Sequence, residues 1–295
     1  MGIKKYSRFR ILIQSFIAWS PFLVTIFNET LRIRRWRSLQ SVLRLFGSTL
    51  PNPIDVEGHI LFHHSDDINT TIGLGVGDYE PEVRKTVTQF LSPGTTMIDA
   101  GANIGYYTLL AARAVGPQGH VYAFEPAPST VELLRKNVDV NGYSGRVTVV
   151  PKAITNKSSK VRIFLDYVHS GTSSMFSDGL AKDAVEVEGV SLDEFFSSKG
   201  WPPINIIKMD IEGAEKLALE GMRELVRRNQ GLKLIIEVNL SFSVEELFEA
   251  LQGCRFSRFH LLEDRNRVVD IPKDIPHIIS TARGVLVNLL CEKAN

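Results

Sequence analysis

The sequence predicts an α/β fold with a mostly parallel sheet, and three observations carry that prediction. Short apolar runs alternate with helix-length stretches from Thr96 onward. A glycine-bearing turn, Gly101 to Gly105, joins the first of these runs to the first of these helices. The 295 residues, 44% hydrophobic and 23% charged, are enough to bury a full core and have ordinary globular composition. Strands alternating with helices of this length argue for a sheet covered on both faces.

The elements follow in order. Ile11 to Phe27 is the most apolar stretch, about 17 residues and at the short edge of what spans a bilayer. Pro21 interrupts it, and Trp19 and Trp36 are interface candidates, Trp36 the better placed. No small-residue cleavage site follows, which argues against a cleaved signal peptide. Residues 51–80 read as an irregular or β-rich lead-in, containing His59, His63 and His64. A helix starts near Pro81. "TMIDA" is strand one, Gly105 to Val115 a helix, and "HVYAFE" (His120 to Glu125) strand two. Ser129 and Glu132 suggest a capping box for a helix reaching Asn141. "RVTVV" is strand three. "KVRIFLD" and "AVEVEGV" are β-like runs around a polar loop, His169 to Asp183, that could cover an acceptor or be an ordinary surface loop. Ser191 and Glu194 cap a short helix. "INIIKM" (Ile204 to Met209) is strand four, followed by a helix to about Asn229. "KLIIEV" is strand five, Ser243 and Glu246 start another helix, and "FHLLE" and "GVLVNLL" close the sheet as a pair.

Charge is uneven. Residues 1–50 hold Lys4, Lys5, Arg8, Arg10, Arg32, Arg34, Arg35, Arg37 and Arg44 against Glu29 alone, while the whole chain is +1. The whole molecule is therefore not built as a polyanion binder, and no nucleic-acid partner is expected. The basic, apolar segment suits a peripheral membrane contact or packing on the domain, and the residues leave both open. Cys254 and Cys291 have no disulfide or metal spacing, in keeping with a reducing, cytoplasmic setting. The domain reading is an N-terminal helical extension (1–50), a lead-in (51–80) and a catalytic domain (81–295).

In an open α/β sheet, ligands sit at the carboxyl ends of the strands. A dinucleotide fingerprint would need glycines where Asn103 and Tyr106 stand, and no G-K-[ST] ending is present. The pattern is instead D-x-G-x-N-x-G. Asp99 beside the ligand would repel a pyrophosphate and favour a ligand with positive charge or donor groups. S-adenosylmethionine offers an ammonium, a sulfonium and a ribose diol. Glu125 ends strand two, where a carboxylate can accept from both ribose hydroxyls. The plainer readings are an N-cap role for Asp99 and a solvated strand end for Glu125.

"IIKMDIEGAE" gathers Lys208, Asp210, Glu212 and Glu215 at the end of strand four. Like charges close together raise one another's pKa, which suits a general base. Lys208 pairing with Asp210 or Glu212, and Glu212 or Glu215 merely favouring a helix N-terminus, are the structural alternatives. No His lies nearby in sequence to complete a metal site, and none is expected.

Taken together, "MIDAGANIGYYTLLAARAVGPQGHVYAFEPAPSTVELLRKNVDVNG", "IIKMDIEGAE" and "LIIEVN" resemble the FkbM family of S-adenosylmethionine-dependent methyltransferases. The likeness covers roughly residues 80–238, with a compatible tail to about Leu290. It implies a class I methyltransferase (Rossmann-like) fold: a seven-stranded sheet with one antiparallel strand near an edge. It implies mainly O-methylation of sugars, lipids or natural products. By position it places Asp99, Gly101, Asn103 and Gly105 at the methionine end of the cofactor and Glu125 at the ribose. Glu80, Pro126, Ala153 and Asp210 join this cofactor-binding set. Asp210, Glu212 and Lys208 are the catalytic candidates. The competing functions are a nicotinamide oxidoreductase, which lacks its glycines, and a non-catalytic cofactor-binding module or membrane-tethered scaffold.

Overall fold

A computed structural model describes residues 52–64, 73–74, 79–165, 183–239, 243–264, 267–270, 273–274, 278 and 286–293. The apolar segment within residues 1–50 and loop residues 169–182 lie outside the described residues. Among the described residues, no helix is long and apolar enough to cross a membrane.

Residues 52–64 form a small hairpin, with β1 (Ile54–Val56) antiparallel to β2 (His59–Leu61). Its turn residues Glu57 and Gly58 both take positive φ (53° and 83°), the backbone that matches the twist of paired strands. His59 and His63 are buried. The His63 ring donates from Nδ1 to the His64 carbonyl at 2.9 Å.

Unit two begins at Glu80. It contains α1 (Pro81–Phe90), β3 (Thr96–Ala100), α2 (Tyr106–Val115), β4 (His120–Phe124), α3 (Pro128–Val140), β5 (Val147–Val150), β6 (Ala153–Ile154), β7 (Ser159–Leu165), β8 (Asp183–Val190), α4 (Leu192–Ser197), β9 (Ile206–Met209), α5 (Glu215–Glu220), α6 (Arg223–Arg228), β10 (Lys233–Asn239), α7 (Val244–Gly253), β11 (Phe256–Leu261), β12 (Arg267–Val269) and β13 (Leu286–Lys293). The main sheet has the order β12-β11-β13-β10-β9-β3-β4-β5. The four pairings between β10 and β5 are all parallel. β13 runs antiparallel to both its neighbours, β10 and β11. The expected seven strands are present, and the three-residue β12 extends the edge to eight. Every residue of β3 and of β9 is buried, as two-sided coverage by helices requires. The β-like runs β7 and β8 pair antiparallel, and β6 joins them in a separate three-stranded sheet.

Two local expectations are corrected. α3 starts at Pro128 with Ala127 as N-cap and no side-chain cap, so Ser129 and Glu132 do not form a capping box. Proline at the first position already lacks one of the orphan N–H groups, and the Glu125 carboxylate takes the Ala127 N–H at 2.9 Å. The helix expected to run to Asn229 is two six-residue helices broken at Gly221–Met222. A Cβ at Gly221 would lie 2.4 Å from the Thr155 carbonyl oxygen. The second helix is capped from outside: Asp193 accepts from the Glu224 and Leu225 amides at 3.0 and 2.7 Å. The other two caps form as expected. Ser191 and Glu194 make a full capping box, and Ser243 accepts from the Glu246 amide.

Candidate active site

The turn after β3 is built by backbone contact. The Gly101 and Ala102 amides both donate to the Phe124 carbonyl, at 3.0 and 2.9 Å, tying the turn to the end of β4. The Asp210 amide donates to the Ala100 carbonyl at 3.0 Å. Gly101 has φ +80°, and a Cβ there would sit 1.8 Å from the Asp210 carbonyl oxygen. No side chain fits that approach. Gly105, the N-cap of α2, has φ +101°, and its Cβ would meet Leu134 at 2.6 Å.

Glu125 braces this turn. One oxygen accepts from the Asn103 amide at 3.0 Å and the other from the Ala127 amide at 2.9 Å. Burial pushes its carboxyl up to about 7, against the pull of those two amides. Pro126 follows it, half-buried. Ala153, in β6, shares an apolar cluster with Ala127.

Asp99 is 1% exposed. Its Oδ2 accepts from the Thr108 hydroxyl at 2.6 Å, so it does not cap the helix; Gly105 holds that place. Its Oδ1 is buried with no partner among the described residues, and so is the Asn103 Oδ1. A buried, unsatisfied acceptor costs about 1–3 kcal/mol. Two of them in one turn point to a ligand that supplies donors. Burial raises the Asp99 carboxyl, with Lys208 and Thr108 opposing.

The second group of residues forms an acidic edge. Lys208 lies beside Asp99 in the β3–β9 register and is 5% exposed. Its ammonium donates to Asp210 Oδ2 at 2.8 Å and stands 5.0 Å from the centre of the Tyr107 ring. The Tyr107 hydroxyl donates to Glu80 at 2.8 Å. Burial would lower the lysine, but Asp210, Glu80 and Asp99 together raise it, so it stays charged. Glu215 accepts from the Ile211 and Gly213 amides at 3.1 and 3.2 Å. Its Oε1 braces the loop from within. Glu212 sits in that loop with φ +54°. Burial first, then Asp210 and Glu215, push its carboxyl up to about 8.

The structure adds a residue the sequence reading passed over. Carboxylate oxygens of Glu80, Asp210 and Glu237 lie within 4.8 Å of one another, close enough to share a proton or a cation. Glu237 follows Ile236, which pairs with Met209, so it lands beside Asp210. An acid inside the apolar run "KLIIEV", at the carboxyl end of a strand, was the available signal. Glu80, Asn103 and Glu212 all hold left-handed backbone (φ 42°, 48° and 54°) without being glycine. Such strain collects where function fixes the backbone.

Comparisons with known proteins identify the family. The methyltransferase FkbM domain matches residues 99–258, from Asp99 through Glu237 and into β11. The hexuronic acid methyltransferase AglP of Haloferax volcanii is 22% identical over 79% of this chain and 92% of that protein. The 31-O-demethyl-FK506 methyltransferase FkbM of Streptomyces tacrolimicus is 26% identical over 45% of this chain and 62% of that protein. A protein-L-isoaspartate O-methyltransferase of Hyperthermus butylicus is 33% identical over 29% of this chain, and the match spans only 39% of that protein. Among solved structures, a SAM-dependent O-methyltransferase of Thermotoga maritima aligns over 74% of this chain and 67% of its own, at 17% identity and a TM-score of 0.41. Because the family domain covers more than half of this chain, the chain belongs to the FkbM family of S-adenosylmethionine-dependent methyltransferases.

Proposed function

We propose that the protein methylates a hydroxyl oxygen of a sugar, lipid or other small-molecule natural product. The observation that carries this reading is Asp99, buried with one oxygen unpartnered, next to an edge lined by carboxylates. These groups accept hydrogen bonds and repel phosphate. They fit a donor with an ammonium and a ribose diol, and an acceptor with hydroxyls.

Asp99, Gly101, Asn103 and Gly105 would hold the methionine end, and Glu125 the ribose. Pro126 and Ala153 would wall the nucleoside side, and Glu80 and Asp210 would flank the reacting end. The bound donor supplies a methyl already activated on sulfur. What remains for the chain is to align the acceptor oxygen at about 3 Å and receive its proton. Asp210, fixed by Lys208, is placed to orient the acceptor. Lys208 acts through Asp210.

The test has two parts. Equilibrium dialysis should show S-adenosylmethionine binding, weakened at least tenfold in Asp99→Ala, with no NAD binding. Incubation with pooled glycosides, hexuronic acids and polyketide alcohols should yield S-adenosylhomocysteine and alkali-stable methyl ethers. Alkali-labile methyl esters would overturn the hydroxyl assignment. Asp210→Asn should lower turnover far more than donor affinity; unchanged turnover removes Asp210 from the chemistry.

Residues 1–50 we read as a peripheral contact for anionic lipid, from their charge and apolar run. Co-sedimentation with phosphatidylserine vesicles that persists after deletion of these residues would refute it.

A further inference from the structure

The acidic edge concentrates like charge. Three carboxylates have oxygens within 4.8 Å of one another, and Lys208 is committed to one of them, Asp210, at 2.8 Å. Glu80 has the neutral Tyr107 hydroxyl. Glu237 faces Asp210, Glu212 and Glu80, with Lys208 opposing them from its bond to Asp210. Half-buried like charges at this separation do not all ionise. They settle by holding a proton or by meeting a positive charge. On the strand beside Lys208, the buried and unpartnered Asp99 Oδ1 calls for a donor-bearing ligand.

We propose that Glu237 takes the proton of the acceptor hydroxyl, and that it is emptied for this task when the positively charged methyl donor binds beside the acidic edge. The inference rests on the methyl-donor reading above.

The groups facing Glu237 set the order of events. Glu80 comes from the N-terminus of α1, with Glu263 acting on it from beyond β11. Behind them, Tyr107 from α2 donates to Glu80 and Asp99 from β3 stands beside Lys208. Lys208, Asp210 and Glu212 come from β9 and the loop after it. Without ligand, burial together with Asp210, Glu212 and Glu80 pushes the Glu237 carboxyl up to about 10. It therefore carries its proton at neutral pH. A sulfonium charge brought near favours the ionised form and releases that proton to solvent. Glu237 is then free to act as a base. Asp210 is less suited, because a proton on it would compete with the Lys208 ammonium.

The transfer balances. The acceptor O–H bond breaks and its proton goes to Glu237. The oxygen pair forms the bond to the methyl carbon, and the pair of the broken carbon–sulfur bond stays on sulfur.

The decisive measurement needs no acceptor. The full chain is titrated calorimetrically with S-adenosylmethionine and with S-adenosylhomocysteine, which lacks the sulfonium charge. Buffers of different ionisation enthalpy at pH 7.5 then count the protons released. S-adenosylmethionine should release on the order of 0.5 proton more than S-adenosylhomocysteine. Glu237→Gln should abolish the difference while both ligands still bind, and Asp210→Asn, which removes the strongest charge acting on Glu237, should alter its size without abolishing it. Equal counts for the two ligands, or a difference that survives Glu237→Gln, would overturn the proposal. If Glu237→Gln does not fold, Glu80→Gln serves instead. Glu80 raises the Glu237 carboxyl, so removing that neighbour should enlarge the difference at pH 7.5, and an unchanged difference counts against the proposal. Failure of both ligands to bind is a separate outcome, which would overturn the methyl-donor reading itself.

Discussion

The glycine turn and the acidic edge lie at the carboxyl ends of neighbouring parallel strands, yet they are held together by opposite means. The turn is fixed by shape. Its amides are satisfied by Phe124 and Glu125, and the space beside Gly101 is filled by the Asp210 carbonyl. The edge is fixed against charge. Glu80, Asp210 and Glu237 are close despite repulsion, kept there by strands and helices whose stability comes from the apolar core beneath. One region is stable because of its site residues, the other in spite of them. Replacing a residue of the turn should therefore destabilise, whereas neutralising an unpaired carboxylate of the edge should stabilise.

The largest effect should come from Gly101→Ala. A methyl placed 1.8 Å from a carbonyl oxygen on a φ of +80° cannot be absorbed by a side-chain shift. Loss of more than about 4 kcal/mol, or failure to fold, is expected, read by circular dichroism and thermal melting. A native melting curve would end the claim that shape rules the turn.

Next is Lys208→Met, which leaves Asp210 without its cation. Breaking one side of a buried pair costs about 3–5 kcal/mol, measurable by urea unfolding. Adding Asp210→Asn to it should recover part of the loss.

The pH dependence sharpens the comparison further. Glu125, Glu212 and Glu237 are raised to about 7, 8 and 10 from 4.5, in each case by burial first. The folded state therefore binds protons that the unfolded chain has already lost. With respect to these groups, stability of the ligand-free protein should be greatest below about pH 4.5. It should fall as pH rises through 7 and 8. Melting temperatures that climb steadily from pH 5 to 8 would contradict this.

The smallest effect is the most telling in sign. Glu237→Gln should stabilise the ligand-free protein by about 1 kcal/mol at pH 8 and by little at pH 5. Destabilisation at pH 8 would mean that the edge, like the turn, depends on its own residues.

The same contrast explains how much was legible in the sequence. The turn is a run of consecutive residues, so its glycines, Asp99 and Asn103 could be read directly, as could Glu125 from its place at a strand end. The acidic edge is assembled by the parallel pairing of β9 with β10 and by the start of α1. Glu237 and Asp210 are neighbours only once that register is known. Ser129 failed as a cap because the helix already begins at Pro128, with Ala127 as its N-cap, which puts Ser129 inside the first turn. The break at Gly221 reflects a carbonyl contributed by residue 155, which no local periodicity reports. Lys208 pairing with Asp210 was foreseen as the structural alternative, and it is what the structure contains.

The antiparallel strand has a consequence for biogenesis. β13 is the partner of β10, and residues 240–285 are synthesised between them. Until residues 286–293 arrive, the strand that carries Glu237 has an open flank on the nascent chain, a ready template for wrong pairing. The closing strand therefore acts as a seal that the ribosome delivers late. Chains stopped short of it should be favoured chaperone clients even though the glycine turn is already made.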